Sequence, residues 1–138
     1  MFGGRFNAKG VPALYCSLSP LTALREANQA GDLQPTVLVC YRAQIEQIFD
    51  GRDAVALDPF GLTSEALADP GWRIAMRDAG SAPTQRLADR LIAKGFAGLL
   101  VPSRARGAML EDLNLVLWRW GTGPEAQLEL IDDEGRLV

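Results

Sequence analysis

Apolar residues along this chain occur as continuous runs, as a helical stripe and as alternation, and each pattern predicts a different element. Continuous runs at residues 11 to 18 (VPALYCSL) and 35 to 41 (PTVLVCY) read as strands, the second as a buried one. Residues 84 to 94 place Leu87, Ala88, Leu91 and Ile92 at i, i+1, i+4 and i+5, which is one face of a helix. Residues 113 to 120 alternate, as a strand with one buried face does.

Local punctuation sharpens these elements. Ser19 followed by Pro20 predicts a helix start, with Ser19 as N-cap and proline in the first turn. Leu21, Leu24 and Ala27 then face one way, so residues 20 to 29 read as a short helix ended by Gly31. Thr84 suits the N-cap of the later helix and Gly95 its C′ position. Residues 96 to 101 read as a strand that stops at Pro102-Ser103, and residues 126 to 131 as a last strand after the turn at 121 to 124.

The middle of the chain is less regular. Ile45, Ile48 and Phe49 fit either a strand or a helical turn, and Asp50-Gly51 marks a turn. Residues 54 to 57 read as a short strand, and Thr63 or Ser64 caps a short helix through Leu67. Asp69-Pro70-Gly71 breaks that helix, and Trp72 to Met76 have mixed character. The sum is about six or seven strands and three helices in an α+β fold with a mixed central sheet. No GxGxxG run leads from a strand into a helix, so a Rossmann unit is not expected.

Composition narrows the chemistry. The 138 residues suit one domain spanning 1–138. A net charge of −3 with dispersed arginines argues against a direct nucleic-acid binder. No apolar stretch is long enough for a membrane helix, and no signal peptide is evident, so a cytoplasmic protein is expected. Cys16 and Cys40 both sit in apolar runs and read as buried thiols. The chain has no histidine, which removes Ser-His-Asp and Cys-His catalysis and histidine-bearing zinc sites. Two cysteines make a poor zinc site, so no metal is expected. Acid–base and electrostatic work then falls to carboxylates, Lys, Tyr or Cys.

The opening stretch supplies a compact set of such groups. Gly3-Gly4-Arg5-Phe6-Asn7 puts an arginine beside glycines that allow close backbone approach. The guanidinium offers a planar fork suited to phosphate. Tyr15, on a predicted strand, offers an aromatic face, and Glu26, on the next helix, a carboxylate for a developing cation. Each signal is weak alone. Together they suit a ligand with a pyrophosphate, a ribose and an aromatic leaving base, as in NAD.

A family resemblance covers roughly residues 3 to 117. The run Gly3-Gly4-Arg5-Phe6-Asn7, Gly10, Pro12-Ala13-Leu14-Tyr15, Ser17, Ala23-Leu24 and Glu26 resembles the start of the RES domain. Pro83-Thr84-Gln85, the run Gly95 to Ser103, and Asn114-Leu115-Val116-Leu117 resemble its second half. Members of this family commonly carry some tens of residues before the glycine-arginine motif, including a strand with its own arginine; here the motif starts at Gly3.

The resemblance implies an ADP-ribosyltransferase-like fold and a toxin of a bacterial toxin–antitoxin pair that consumes NAD as substrate. It implies that ADP-ribose passes to phosphate or water, or alternatively to a specific host protein. It assigns catalytic roles to Arg5, Tyr15, Glu26 and Ser103. Arg5 would grip the pyrophosphate, Tyr15 stack on nicotinamide, and Ser103 bond the nicotinamide amide or the ribose. Gly4, Asn7 and Ser17 complete the NAD-binding set, while Arg104 and Arg106 either attract phosphate, bind the antitoxin or are simply solvated. The partner implied is a cognate helix-turn-helix antitoxin, with room for a homo-oligomer in the complex. A non-catalytic interaction module of the same fold is the competing reading, and retention of Arg5 and Glu26 weighs against it.

Overall fold

The cap predicted at Ser19 forms in the computed structural model, which describes residues 3–29 and 35–137. Strand β1 (Leu14–Ser17) leads into helix α1 (Pro20–Ala27), whose first turn is closed by Thr22 N donating to Ser19 Oγ at 3.1 Å. Gly31, expected to end this helix, lies outside the described residues. Strands β2 (Cys40–Ile45) and β3 (Ile48–Asp50) follow. Helices α2 (Ala54–Leu57), α3 (Ser64–Leu67), α4 (Trp72–Ala79) and α5 (Pro83–Ala93) come next, with a 3₁₀ turn at Asp58–Phe60. Strands β4 (Gly98–Pro102), β5 (Leu113–Leu117) and β6 (Ala126–Ile131) complete the described chain. None of the described helices is long and apolar enough to cross a membrane.

The fold is α+β with a mixed sheet. Four strands run in the order β1-β5-β4-β3; β3 and β4 are parallel and the other pairs antiparallel. Parallel pairing needs a long crossover, and helices α2 to α5 supply it. Cross-strand partners share a sheet face. Tyr15, Ser17, Asn114, Val116, Val101, Leu99 and Phe49 therefore lie on one face. Its Phe49, Leu99 and Val116 end is covered by Leu57, Leu67, Leu87 and Leu91 from the helices. Each such buried side chain stabilises the fold by roughly 2 kcal/mol. The Tyr15, Ser17 and Asn114 end is left open, and the candidate site lies there.

The α5 stripe is buried as its spacing predicts, through Leu87, Ala88 and Leu91. Gly95, at φ +92°, ends the helix. Its N–H donates to Ile92 O at 3.0 Å and that of Phe96 to Leu91 O at 3.1 Å, a Schellman motif. The N-cap is Ala82, not Thr84. Gln85 Oε1 accepts from Ala82 N at 3.0 Å, so the side chain at N3 replaces the missing cap.

Other expectations are corrected. The segment 54 to 57 is helical because the Asp53 carboxylate accepts from Val55 N and Ala56 N. Helix α4 exists where the sequence has mixed character, so among the described residues five α-helices stand where three were expected. The run 35 to 41 is not a buried strand: β2 begins at Cys40, pairs only with β6, and leaves Val37 76% exposed. Apolar content alone does not say which strand accepts a pairing partner. Cys40 is accordingly exposed, and Cys16 is only partly buried, though burial still pushes its thiol up. Leu21 of α1 is 55% exposed, and the helix docks instead through buried Thr22. Its inward contacts are polar, and that leads directly to the site.

Candidate active site

The glycine-arginine segment is a tight loop fastened at several points. Gly4 N donates to Asn7 O at 2.9 Å and to Asn7 Oδ1 at 3.1 Å. Tyr15 donates its hydroxyl proton to Asn7 Oδ1 at 2.6 Å and accepts from Phe6 N at 3.1 Å. A Cβ at Gly4 would sit 2.5 Å from both Asn7 Oδ1 and the Tyr15 hydroxyl, so glycine is required here by the loop's own polar atoms. Asn7 Nδ2 closes the loop by donating to Val11 O at 2.8 Å. From α5, Gln85 Nε2 donates to Gly4 O at 2.9 Å and Asn7 O at 3.2 Å. Trp118 Nε1 donates to Phe6 O at 2.8 Å. These bonds fix the backbone on both sides of Arg5.

Glu26 stands opposite, on α1. Its Oε1 accepts from Ser103 Oγ and from Asn114 Nδ2, each at 2.5 Å, and its Oε2 accepts from Gln29 Nε2. Asn114 Oδ1 accepts in turn from Ser17 Oγ at 2.7 Å. Two anchors hold α1 itself: Thr22 Oγ1 donates to Asp112 Oδ1 and Arg25 Nη1 to Asp112 Oδ2, both at 3.1 Å. Met109 N also donates to Asp112 Oδ2, at 2.7 Å.

The Met109 N–H, with help from Thr22 and Arg25, holds the Asp112 carboxyl below its ordinary value. A depressed folded-state pKa adds stability above the unfolded value, and that stability is lost as pH falls through the folded one. Asp112→Asn is therefore expected to melt below the wild type at neutral pH, with the gap closing in acid. Melting scans at stepped pH check this; a gap independent of pH would remove the carboxylate from the role.

Between loop and helix lies an open cavity of about 540 Å³, within the size range of small-molecule sites. Tyr15, Ser17, Asn114 and Val116 from the sheet line it, and Trp72 and Arg73 from α4 form part of its wall. Arg73 lies over the Trp72 ring, 4.5 Å from its centroid. Arg5 and Arg104 line the same cavity. Among the described residues, Arg5, Arg73 and Arg104 form no salt bridge. Burial lowers the Arg5 pKa, Glu26 pulls it back up, and Arg73 pushes it down again. Arginine stays protonated under such shifts, so the cavity presents several cations against one anchored carboxylate. Burial raises the Tyr15 phenol, opposed by the Phe6 N–H and by Arg5. The phenol is therefore neutral at physiological pH, and its half-exposed ring faces the cavity.

The structure thus brings Arg5, Tyr15, Ser17 and Glu26 to one cavity. Ser103 is placed differently from the expectation. It is buried, donates to Glu26, and accepts from Ala105 N at 3.2 Å. Asn7 and Gly4 act mainly within the loop. Three residues had no site role in the sequence reading: Asn114 and Gln85, which entered only as motif positions, and Arg73. A lone asparagine in the apolar strand LNLVL was the signal available for Asn114. Gln85 was marked by its place in the Pro83-Thr84-Gln85 motif, and nothing local marked Arg73.

Fold and cavity together define an α+β protein with a cationic cleft and a single fixed carboxylate on its wall. The chain belongs to the RES domain family, whose model matches residues 1–138, the whole chain. No curated protein and no solved structure is significantly similar to it.

Proposed function

We propose that this chain is a toxin of a bacterial toxin–antitoxin pair that binds NAD and cleaves its nicotinamide–ribose bond. The observation that carries this reading is the Glu26 carboxylate, with Oε1 tied to two donors, on the wall of a cavity lined by Arg5, Arg73 and Tyr15. Nicotinamide is cationic in NAD and leaves with the C–N electron pair, which neutralises its ring. Positive charge then gathers on the ribose as an oxocarbenium-like state. A carboxylate fixed beside it stabilises that charge without reorganising, and a hydrogen bond to the 2′-hydroxyl strengthens as the bond breaks. Arg5 and Arg73 supply the charge a pyrophosphate needs, and the Tyr15 ring supplies an aromatic surface for nicotinamide.

An oxygen of phosphate or water then forms the new bond to the ribose carbon. The family's likeness to ADP-ribosyltransferases supports the same first step with a protein as acceptor. A cognate helix-turn-helix antitoxin covering this cleft would restrain the enzyme in the cytoplasm. The test is incubation with NAD, with and without phosphate, followed by mass analysis of small molecules and protein. The expected result is free nicotinamide, with a phosphorylated ADP-ribose when phosphate is present and ADP-ribose when it is not. A protein that gains the mass of ADP-ribose would make the transferase reading the right one. Intact NAD would remove both.

Arg5→Ala is expected to weaken NAD binding, and Arg5→Lys to weaken it less. Lysine keeps the charge and loses the bidentate fork. A charge-assisted contact contributes about 2 kcal/mol, or roughly thirtyfold in affinity. Calorimetric titration reads this directly, and equal affinities for the wild type and both variants would take Arg5 out of the site.

A further inference from the structure

We propose that Asn114 is a positioning residue for bond cleavage: oriented by Ser17, it sets which oxygen of Glu26 faces the substrate. This role rests on the NAD-cleaving reading. The orientation follows from hydrogen-bond chemistry. An asparagine amide has one acceptor end and one donor end. Glu26 Oε1, at 2.5 Å, offers only lone pairs to Asn114, so the NH₂ end must face it. The Oδ1 end then faces Ser17 Oγ at 2.7 Å, and the serine hydroxyl gives its proton there.

The Asn114 backbone is held by β1 on one side and β4 on the other, paired with Ser17 and Val101. Strand β5 is thus a rigid mount, whereas Glu26 rides on a short helix. With Ser103 and Asn114 both on Oε1, the carboxylate plane is set and Oε2 is the oxygen left to meet a ribose. Among the described residues, Oε2 accepts a hydrogen bond from Gln29, an exposed residue in the turn after α1, whose bond a substrate hydroxyl can replace. Ser103 lies just past the end of β4 and Asn114 within β5, so removing one leaves the carboxylate free to pivot about the other.

The test uses Asn114→Ala, Ser17→Ala, the double variant and Asn114→Asp. Asn114→Ala is expected to lower kcat by roughly tenfold to a hundredfold, because small misplacements at the reacting bond are magnified. KM for NAD should change little. Ser17→Ala should show a smaller loss, and the double variant should be no worse than Asn114→Ala, since Ser17 acts through Asn114.

Asn114→Asp supplies a readout that needs no NAD. It sets a second carboxylate against Oε1, and such a pair holds a proton. Arg5, Arg73, Arg104, Tyr15 and Cys16 line the same cavity, Arg25 and Asp112 pair beside α1, and all of them are unchanged in the comparison. The raised folded-state pKa of the pair makes the variant's melting deficit grow as pH rises from about 5 to about 8. A deficit that does not move with pH would show that Asn114 does not face Glu26 and would overturn the proposal. So would unchanged kcat in a folded Asn114→Ala, or additive losses in the double variant. Those failures leave wild-type turnover intact. A wild type that leaves NAD untouched would instead remove the reaction, and this role with it.

Discussion

Glu26→Gln is expected to lose NAD turnover by about a hundredfold or more while keeping the fold. The amide is isosteric, and its Oε1 still accepts from Ser103 and Asn114. What disappears is the negative charge beside the ribose. One such preorganised electrostatic contact is worth on the order of 3 kcal/mol in the transition state, which is about a hundredfold in rate. The loss also leaves Arg5 without the carboxylate whose field it feels. NAD binding should therefore hold or tighten as the anion's competitor for Arg5 goes, while kcat collapses. Turnover and melting temperature measured on one preparation decide it. A folded variant with near-normal turnover would reject the charge as the source of catalysis, and a variant that fails to fold would make Glu26 structural.

Gln85→Leu is expected to be the most destabilising change near the site, although its side chain does not itself line the cavity. Gln85 is 2% exposed and satisfies Gly4 O, Asn7 O and Ala82 N at once. Leucine has similar volume and none of these bonds. Asn7 O keeps Gly4 N and Gly4 O keeps Asn7 N, so Ala82 N is the group left unpaired; that orphan and the two lost bonds together cost about 3 kcal/mol. For a domain of this size that lowers Tm by roughly 10 °C. The freed loop carries Arg5, so KM for NAD should rise as well.

Thr84→Val is the control beside it. Thr84 Oγ1 is buried with no hydrogen-bond partner, so removing the hydroxyl should leave stability unchanged or raise it. Calorimetric melting of both variants checks the pair. If Gln85→Leu melted like the wild type, the loop would be held by its internal bonds alone.

Much of the local structure was legible before any contact was known. The Leu87, Ala88, Leu91 stripe, the Ser19-Pro20 start and the Gly95 stop all depend on residues a few positions apart. Their hydrogen bonds close within a turn or two of chain, and the side chains that make them are neighbours in sequence. The 54 to 57 segment misled for a related reason. Its apolar residues fit a strand, and the Asp53 cap decided for helix. Arg5, Tyr15 and Glu26 were also legible, because their chemistry is carried by side-chain type.

Tertiary structure decided what those groups touch. Ser103 could be read as a loop residue, but its direction depends on Glu26, 77 positions earlier. Asn114 reaches Glu26 across 88 positions, and Gln85 reaches Gly4 across 81. No periodicity carries such separations, since they depend on which strands pair and where a helix lands. The run at 35 to 41 shows the same limit: its composition asked for burial, yet β2 found its partner in β6 outside the four-stranded sheet. The sequence by itself determined the α+β class, the helix limits set by local caps, the absence of histidine chemistry and which side chains offer charge or an aromatic face. Strand pairing and the docking of α1 brought Ser17, Asn114, Glu26 and Ser103 into one hydrogen-bonded line, because a carboxylate is oriented by donors fixed in space rather than by its neighbours along the chain.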